Sequence, residues 1–335
     1  MLEKKHIGAV VAAGLLAVGT AVVGALPASG ATTLPVTAYQ EEGDATSVID
    51  ASAAALSRVG VDGVNINSQG TKVTSPSSDA RAQLARAHSL GLKADLLIGN
   101  FSESLGDFDE AAANRMLSST ANINAVVSTL SSAVASQGWD AVTIDLESLQ
   151  ARDTAGLTKF ATALKKALPA GKTVGIDVTT FTSLDEFAQN GYDLTGLGKA
   201  VDTVALMAYD EHGFGDSGPG PVGELSWQKR GLDLLLSKVP ANKVDLGVAG
   251  YGYAWSPNGD VKQVGDKQAR DMVSKNGATA RYDTTAGEWT ATLGDGTVLW
   301  WSDARSLAAR RTLAANEGVH GLAVWDLGLS DTITS

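Results

Sequence analysis

From Val36 onward the chain alternates short apolar runs with longer segments whose apolar residues recur every three or four positions. Runs of four to eight Val-, Ile- and Leu-rich residues read as strands covered on both faces, and the 3.6-residue period reads as amphipathic helix. This pattern predicts strands near Val36–Tyr39, Gly63–Ile66, Ala94–Ile98, Ala141–Glu147, Thr173–Val178, Thr203–Ala208, Val244–Ala249 and Gly321–Trp325. Helical periodicity covers Ala45–Arg58, Ser78–Ser89, Glu110–Ser136, Thr154–Leu168 and Trp227–Lys238, among others. Eight strands with interleaved helices predict an α/β fold, the (β/α)8 TIM barrel.

The spacing breaks once. About seventy residues separate the seventh and eighth strands, too many for a single crossover helix. Within them Trp289–Leu293 and Thr297–Trp301 flank Gly294-Asp295-Gly296, and Asp-Gly between apolar runs is a strong hairpin signal. A small α+β insertion over about 256–303 is therefore expected above the C-terminal face of the barrel. No internal repeat or linker divides residues 32–335, so they read as one domain.

The first residues follow another logic. Lys4, Lys5 and His6 precede an uncharged run from Ile7 to Leu26, and Ser29-Gly30-Ala31 offers the small residues of a cleavage site. Residues 1–31 are thus expected to be a signal peptide. The competing reading is a retained anchor, since twenty apolar residues suffice to cross a bilayer; Pro27 and the small residues after it favour cleavage. The expectation is a secreted, extracellular or cell-wall-located monomer with no stable membrane association after cleavage.

Composition narrows the chemistry. The absence of Cys excludes thiol catalysis, cysteine–zinc and iron–sulfur sites, and disulfides. With 26 Lys plus Arg against 37 Asp plus Glu, the formal charge of −11 argues against nucleic acid and anionic lipid as partners. The four His show no paired metal-ligand spacing, and no Gly-rich phosphate loop or Gly-x-Ser-x-Gly elbow occurs. No metal and no cofactor are expected.

In a barrel of this type chemistry sits where strands end. The fourth strand, Asp140-Ala141-Val142-Thr143-Ile144-Asp145-Leu146-Glu147, places Thr143, Asp145 and Glu147 at alternating positions and hence on one face. Turned inward, two neighbouring carboxyls raise one another's pKa, which keeps a carboxylic acid protonated near neutrality for use as a general acid. The alternative is a strand with a solvated polar face, on which these acids carry no chemistry.

These residues also carry a family resemblance. Asp140-x-x-Thr143-x-Asp145-x-Glu147 resembles the DxxDxDxE signature of glycoside hydrolase family 18, which includes chitinases and relatives acting on peptidoglycan. Met207-Ala208-Tyr209-Asp210 resembles the family's segment at the end of the sixth strand, and Gly250-Tyr251-Gly252-Tyr253-Ala254-Trp255 the exit of the seventh. Ala323-Val324-Trp325-Asp326 resembles the eighth, with the tryptophan that floors the sugar site. Ile98-Gly99-Asn100-Phe101 and Trp300-Trp301-Ser302-Asp303 resemble the bacterial type related to spore cortex-lytic enzymes, and the likeness runs in order from about Gly91 to Gly328. Two positions depart from the pattern: Ala141 replaces the usual Gly, and Thr143 stands where Asp or Asn is usual. A hydroxyl can hydrogen-bond Asp145 but cannot take up a proton.

The resemblance implies a substrate-assisted glycosidase. Glu147 would protonate the leaving oxygen and later deprotonate water, while the 2-acetamido oxygen of the substrate attacks. Asp145 would hold the acetamido N–H, Tyr209 and Asp210 would position the same group, and Trp325 would stack beneath the sugar. Asp140 and Thr143 would support the row. Tyr251, Tyr253 and Trp301 are further candidates for sugar contact, with core packing as the alternative, and Asn100 for contact with sugar or support of Asp145, with loop capping as the alternative. The implied partner is a polysaccharide containing N-acetylglucosamine, either peptidoglycan or chitin. The rival reading is a noncatalytic carbohydrate-binding barrel.

Overall fold

The computed structural model describes residues 34–215 and 217–335, so the expected signal peptide lies outside the described residues. Eight parallel strands close into a barrel in chain order: Val36–Glu41, Arg58–Asn65, Lys93–Gly99, Ala141–Asp145, Thr173–Thr179, Thr203–Met207, Val244–Ala249 and Gly321–Trp325. The eighth pairs with the first, Val36 opposite Leu322, and so leaves no free edge. The (β/α)8 TIM barrel is the architecture the strand pattern predicts.

Parallel strands covered by helices bury both faces, and all six residues of the seventh strand are buried. There Gly247 is required by close approach: a Cβ would stand 2.2 Å from the Leu206 carbonyl oxygen of the sixth strand. Outside, helix Thr154–Ala167 turns Leu157, Phe160, Ala161 and Leu164 inward at the i, i+3, i+4, i+7 spacing. Full burial of a side chain such as Phe160 contributes about 1.5–3 kcal/mol. Helix Ser78–Ser89 starts where Ser77 Oγ accepts from the N–H groups of Asp79 and Ala80.

Three expectations shift. The helix expected over Ala45–Arg58 shrinks to Ser47–Ser52 plus a 3-10 turn at Ala53–Ala55, because the second strand begins at Arg58 rather than Gly63. The helix expected over Glu110–Ser136 is two helices, Glu110–Leu117 and Thr120–Gln137. Ser119, whose Oγ accepts from the Asn122 N–H, starts the second one afresh. The insertion begins at Tyr251 rather than 256.

That insertion is a five-stranded antiparallel sheet with helix Asp266–Lys275. Its spatial order is Val261–Gly265, Tyr251–Trp255, Val298–Trp301, Glu288–Thr292, Arg281–Asp283. The Asp-Gly hairpin forms, pairing Thr292 with Val298. A separate core of Ala254, Val264, Ala269, Val273, Leu299 and Trp301 holds the unit together. A fully buried ion pair, Arg310 with Glu288 at 2.9 Å, joins it to the barrel helix Ala304–Glu317. Glu288 also accepts from the N–H groups of Val222 and Gly223, at 2.7 and 3.0 Å, which fixes the chain that leaves the sixth strand. No helix among the described residues is long and apolar enough to cross a membrane.

Candidate active site

The C-terminal ends of the strands open into a cleft of ≈ 520 Å³. Asp145 ends the fourth strand and Glu147 follows in the loop, both lining the cleft. Ser148 turns the chain away with a φ of 57°, a conformation rarely held by non-glycine residues. The Asn100 amide secures the loop from the end of the third strand: its Oδ1 accepts the Glu147 N–H at 2.8 Å, and its Nδ2 donates to the Glu147 carbonyl at 3.0 Å.

Burial dominates the electrostatics. It pushes the Glu147 carboxyl up to about 7, with the negative charges of Asp210 and Asp107 adding to the effect. It holds Asp145 well above the usual carboxylate range, reinforced by Glu147 and Asp177. Asp145 Oδ1 is buried and has no hydrogen-bond partner among the described residues. Removing a carboxylate from water without compensation favours its protonated form.

Tyr209 and Asp210 follow the sixth strand, two strands round the barrel from the fourth, and line the same cleft. Asp210 holds a φ of 61°, and its Oδ1 accepts the hydroxyls of Tyr251 at 2.7 Å and Tyr253 at 2.8 Å. Strand alternation puts Tyr251, Tyr253 and Trp255 on one face, and this is what brings both hydroxyls to one oxygen. Gln228 Nε2, donating to the Ala208 carbonyl at 2.6 Å, braces the segment from behind. Trp325 ends the eighth strand, lines the cleft and packs against Tyr39 at a ring separation of 5.8 Å.

Several expected site residues stand elsewhere. Trp301 does not face the cleft: it is buried in the insertion core, stacked on Trp289 at 6.1 Å, because alternation along its strand directs the adjacent Trp300 toward Tyr251 and Tyr253 instead. Tyr253 is buried and reaches Asp210 rather than the cleft wall. Asn100 is buried and spends its amide on the Glu147 backbone, not on a ligand. Asp140 precedes the fourth strand, at the far end of the barrel. There it pairs with Lys172 at 3.2 Å and His88 at 2.8 Å, and accepts the Ala94 N–H. Thr143 is buried below Asp145 against Gly175. Tyr251 lines the cleft as expected.

The sequence reading missed Asp177, Tyr39 and Asp62. Asp177 lies in the fifth strand, lines the cleft and accepts the Tyr39 hydroxyl at 2.9 Å. Burial pushes it up to about 8 against that hydrogen bond, and pushes Asp62 up to about 6. The signal existed: an acid within Gly175-Ile176-Asp177-Val178 breaks an apolar strand just as Asp145 does. Eight of the eighteen residues lining the cleft are Asp or Glu, and none is Lys, Arg or His. A protonated carboxyl beside a second carboxyl, in a cleft that Trp325 also lines, is equipped for acid–base chemistry on an uncharged ligand that has apolar faces.

Comparison with known proteins assigns the family and the fold. The model of glycosyl hydrolases family 18 matches residues 64–330. The uncharacterized glycosylase YvbX of Bacillus subtilis is 26% identical over 255 residues, covering 73% of this chain and 74% of its own. The cortical fragment-lytic enzyme of the same organism is 28% identical over 208 residues, 58% of this chain and 47% of its own, so the chain spans about half of that relative. Among solved structures, a chitinase from Chromobacterium violaceum superposes with a TM-score of 0.80 at 28% identity, covering 89% of this chain and 95% of that one.

Proposed function

The chain belongs to family 18 of the glycosyl hydrolases, and from that premise we propose that it is a secreted enzyme cleaving β-linked N-acetylglucosamine polymers with net retention. The observation that carries the reading is that Glu147, Asp145 and Trp325 line one cleft. Glu147, protonated up to about pH 7, gives its proton to the leaving glycosidic oxygen and later takes one from water. The acetamido oxygen of the substrate is the nucleophile, held in attack geometry. Asp145 accepts the acetamido N–H and stabilises the positive oxazolinium that forms. Tyr209 donates to the acetamido oxygen. Asp210, held by two tyrosine hydroxyls in a left-handed conformation, fixes the wall on that side.

The walls bear on the choice between polymers. The cleft wall, rich in carboxyl groups and with no Lys, Arg or His among its described residues, is less favourable to strands that carry carboxylates of their own, which favours a chitin-type strand over peptidoglycan with its lactyl and peptide carboxylates. The noncatalytic alternative requires a barrel that binds sugar without turnover, and the retained Glu147 stands against it. The deciding experiment incubates the purified protein separately with chitin oligomers and with peptidoglycan and reads the products by mass spectrometry. Binding of both without cleavage would establish the lectin-like alternative. Failure of a thiazoline analogue of the oxazolinium to inhibit cleavage would exclude the substrate-assisted route.

A further inference from the structure

Asp177 has no part in the reaction as written above, yet it is a buried acid on the wall of the same cleft. The strand register sets its neighbour. The fourth and fifth strands pair Thr143 with Gly175 and Ile144 with Ile176, so the next step along both places Asp177 beside Asp145. Adjacent strands run about 4.8 Å apart, and both acids line the cavity.

The surroundings do not support two negative charges there. Among the described residues no Lys, Arg or His lines the cleft. The Tyr39 hydroxyl donates to Asp177 Oδ1, whereas Asp145 Oδ1 is buried without a partner among the described residues. One step deeper, Thr143 has no proton-binding group to offer, and Gly175 opposite it has no side chain; a Cβ there would stand 3.2 Å from Thr143 Oγ1. Titratable groups facing Asp177 from other elements are Tyr39, Asp145, Glu147 and Tyr209. Lower in the barrel come Asp95, paired with Arg58, and Asp245, paired with His320. Every close neighbour is an acid or a phenol.

We propose that Asp177 is a positioning residue for this reaction, the buried carboxyl that shares a single proton with Asp145. The pair then carries one negative charge. As the oxazolinium gains positive charge the proton rests on Asp177 and leaves Asp145 anionic against the acetamido N–H; it is shared again once water has opened the ring. No proton enters or leaves the pair, and none is taken from Glu147. Burial lifts Asp177 far above the ordinary aspartate range, in keeping with an acid that holds a proton at neutral pH.

The inference rests on the glycosidase reading, and its test separates the two. Asp177→Asn keeps an acceptor for Tyr39 but cannot share a proton. In a variant with native circular dichroism, kcat on a chitin oligomer is expected to fall at least tenfold with KM within twofold, and the pH–rate profile is expected to lose the ionisation of the pair. Adding Thr143→Asp to Asp177→Asn restores a titratable carboxyl beside Asp145 and is expected to recover at least threefold of the loss. Independently of activity, infrared difference spectra at pH 7 are expected to show a protonated carboxyl band in the wild type that Asp177→Asn removes and Tyr39→Phe shifts. A wild-type kcat and pH profile in folded Asp177→Asn, or an unchanged band, overturns the proposal. If no acetylated glycan is cut by the wild type, the glycosidase reading falls while the infrared band still decides whether the proton is shared. Should Asp177→Asn fail to fold, the Tyr39→Phe band shift carries the test, and its absence overturns the idea.

Discussion

Asn100 pairs with Glu147 as a strand neighbour would, its side-chain amide accepting the Glu147 N–H and donating to the Glu147 carbonyl. Glu147 lies beyond the end of its own strand, where no ladder fixes it. The two hydrogen bonds are what hold the acid in place, and misplacement by about 1 Å is enough to cost ~100-fold in rate.

Asn100→Ala is therefore expected to lower kcat by about 10- to 100-fold with little change in KM. Asn100→Asp is expected to do the same, since a carboxylate cannot donate to the Glu147 carbonyl. Steady-state kinetics on a chitin oligomer checks both. Equal losses in KM would mean that Asn100 touches sugar after all.

The acidity of Glu147 fixes the alkaline limb of the pH profile. A general acid works only while protonated, so kcat/KM should fall about tenfold per unit above roughly pH 7. Asp107 adds to the raising of Glu147 from the hairpin Phe101–Phe108. Removing that charge in Asp107→Asn lowers the Glu147 pKa, and the limb should move to lower pH. Glu147→Gln should cost about 10²- to 10⁴-fold in turnover while leaving sugar binding. A limb that stays in place in Asp107→Asn would show that another group sets it.

The acidic walls predict a dependence on salt. Discrimination against carboxylate-bearing strands should weaken as the screening length shortens from about 10 Å at 0.1 M salt to about 3 Å at 1 M. Amidating the peptide carboxyls of peptidoglycan, or combining Glu42→Gln with Glu103→Gln on the cleft wall, should raise cleavage of those strands relative to chitin. Competition assays read the ratio. A ratio indifferent to salt and to charge would assign selectivity to shape.

The Arg310–Glu288 pair is a stability prediction. Both side chains are about 1% exposed. Arg310→Met leaves Glu288 charged and buried, a loss of about 3–5 kcal/mol when one partner of such a pair is removed. Urea denaturation measures it. Combining the change with Glu288→Gln should recover part of the loss, because the stranded charge is then gone.

Local periodicity was enough to determine the barrel, because the period of an apolar run depends only on near neighbours. The seventh and eighth strands fall at the residues the pattern predicts, and the Asp-Gly hairpin closes where turn chemistry places it. Asp145 and Glu147 were legible from the polar end of the fourth strand, and Tyr209, Asp210 and Trp325 from the resemblance of their segments to family 18. Tertiary structure decided the rest. Asp95, Asp145, Asp177 and Asp245 all interrupt apolar strands and look alike in sequence. Closure of the barrel pairs Asp95 with Arg58 and Asp245 with His320 at one end, and opens Asp145 and Asp177 into the cleft at the other. Tyr39 meets Asp177 across 138 residues of chain. Trp300 and Trp301 differ by one position and therefore point to opposite faces; the hairpin sets their register, but only the pairing with the strand Tyr251–Trp255 decides which of them packs beside Tyr251 and Tyr253.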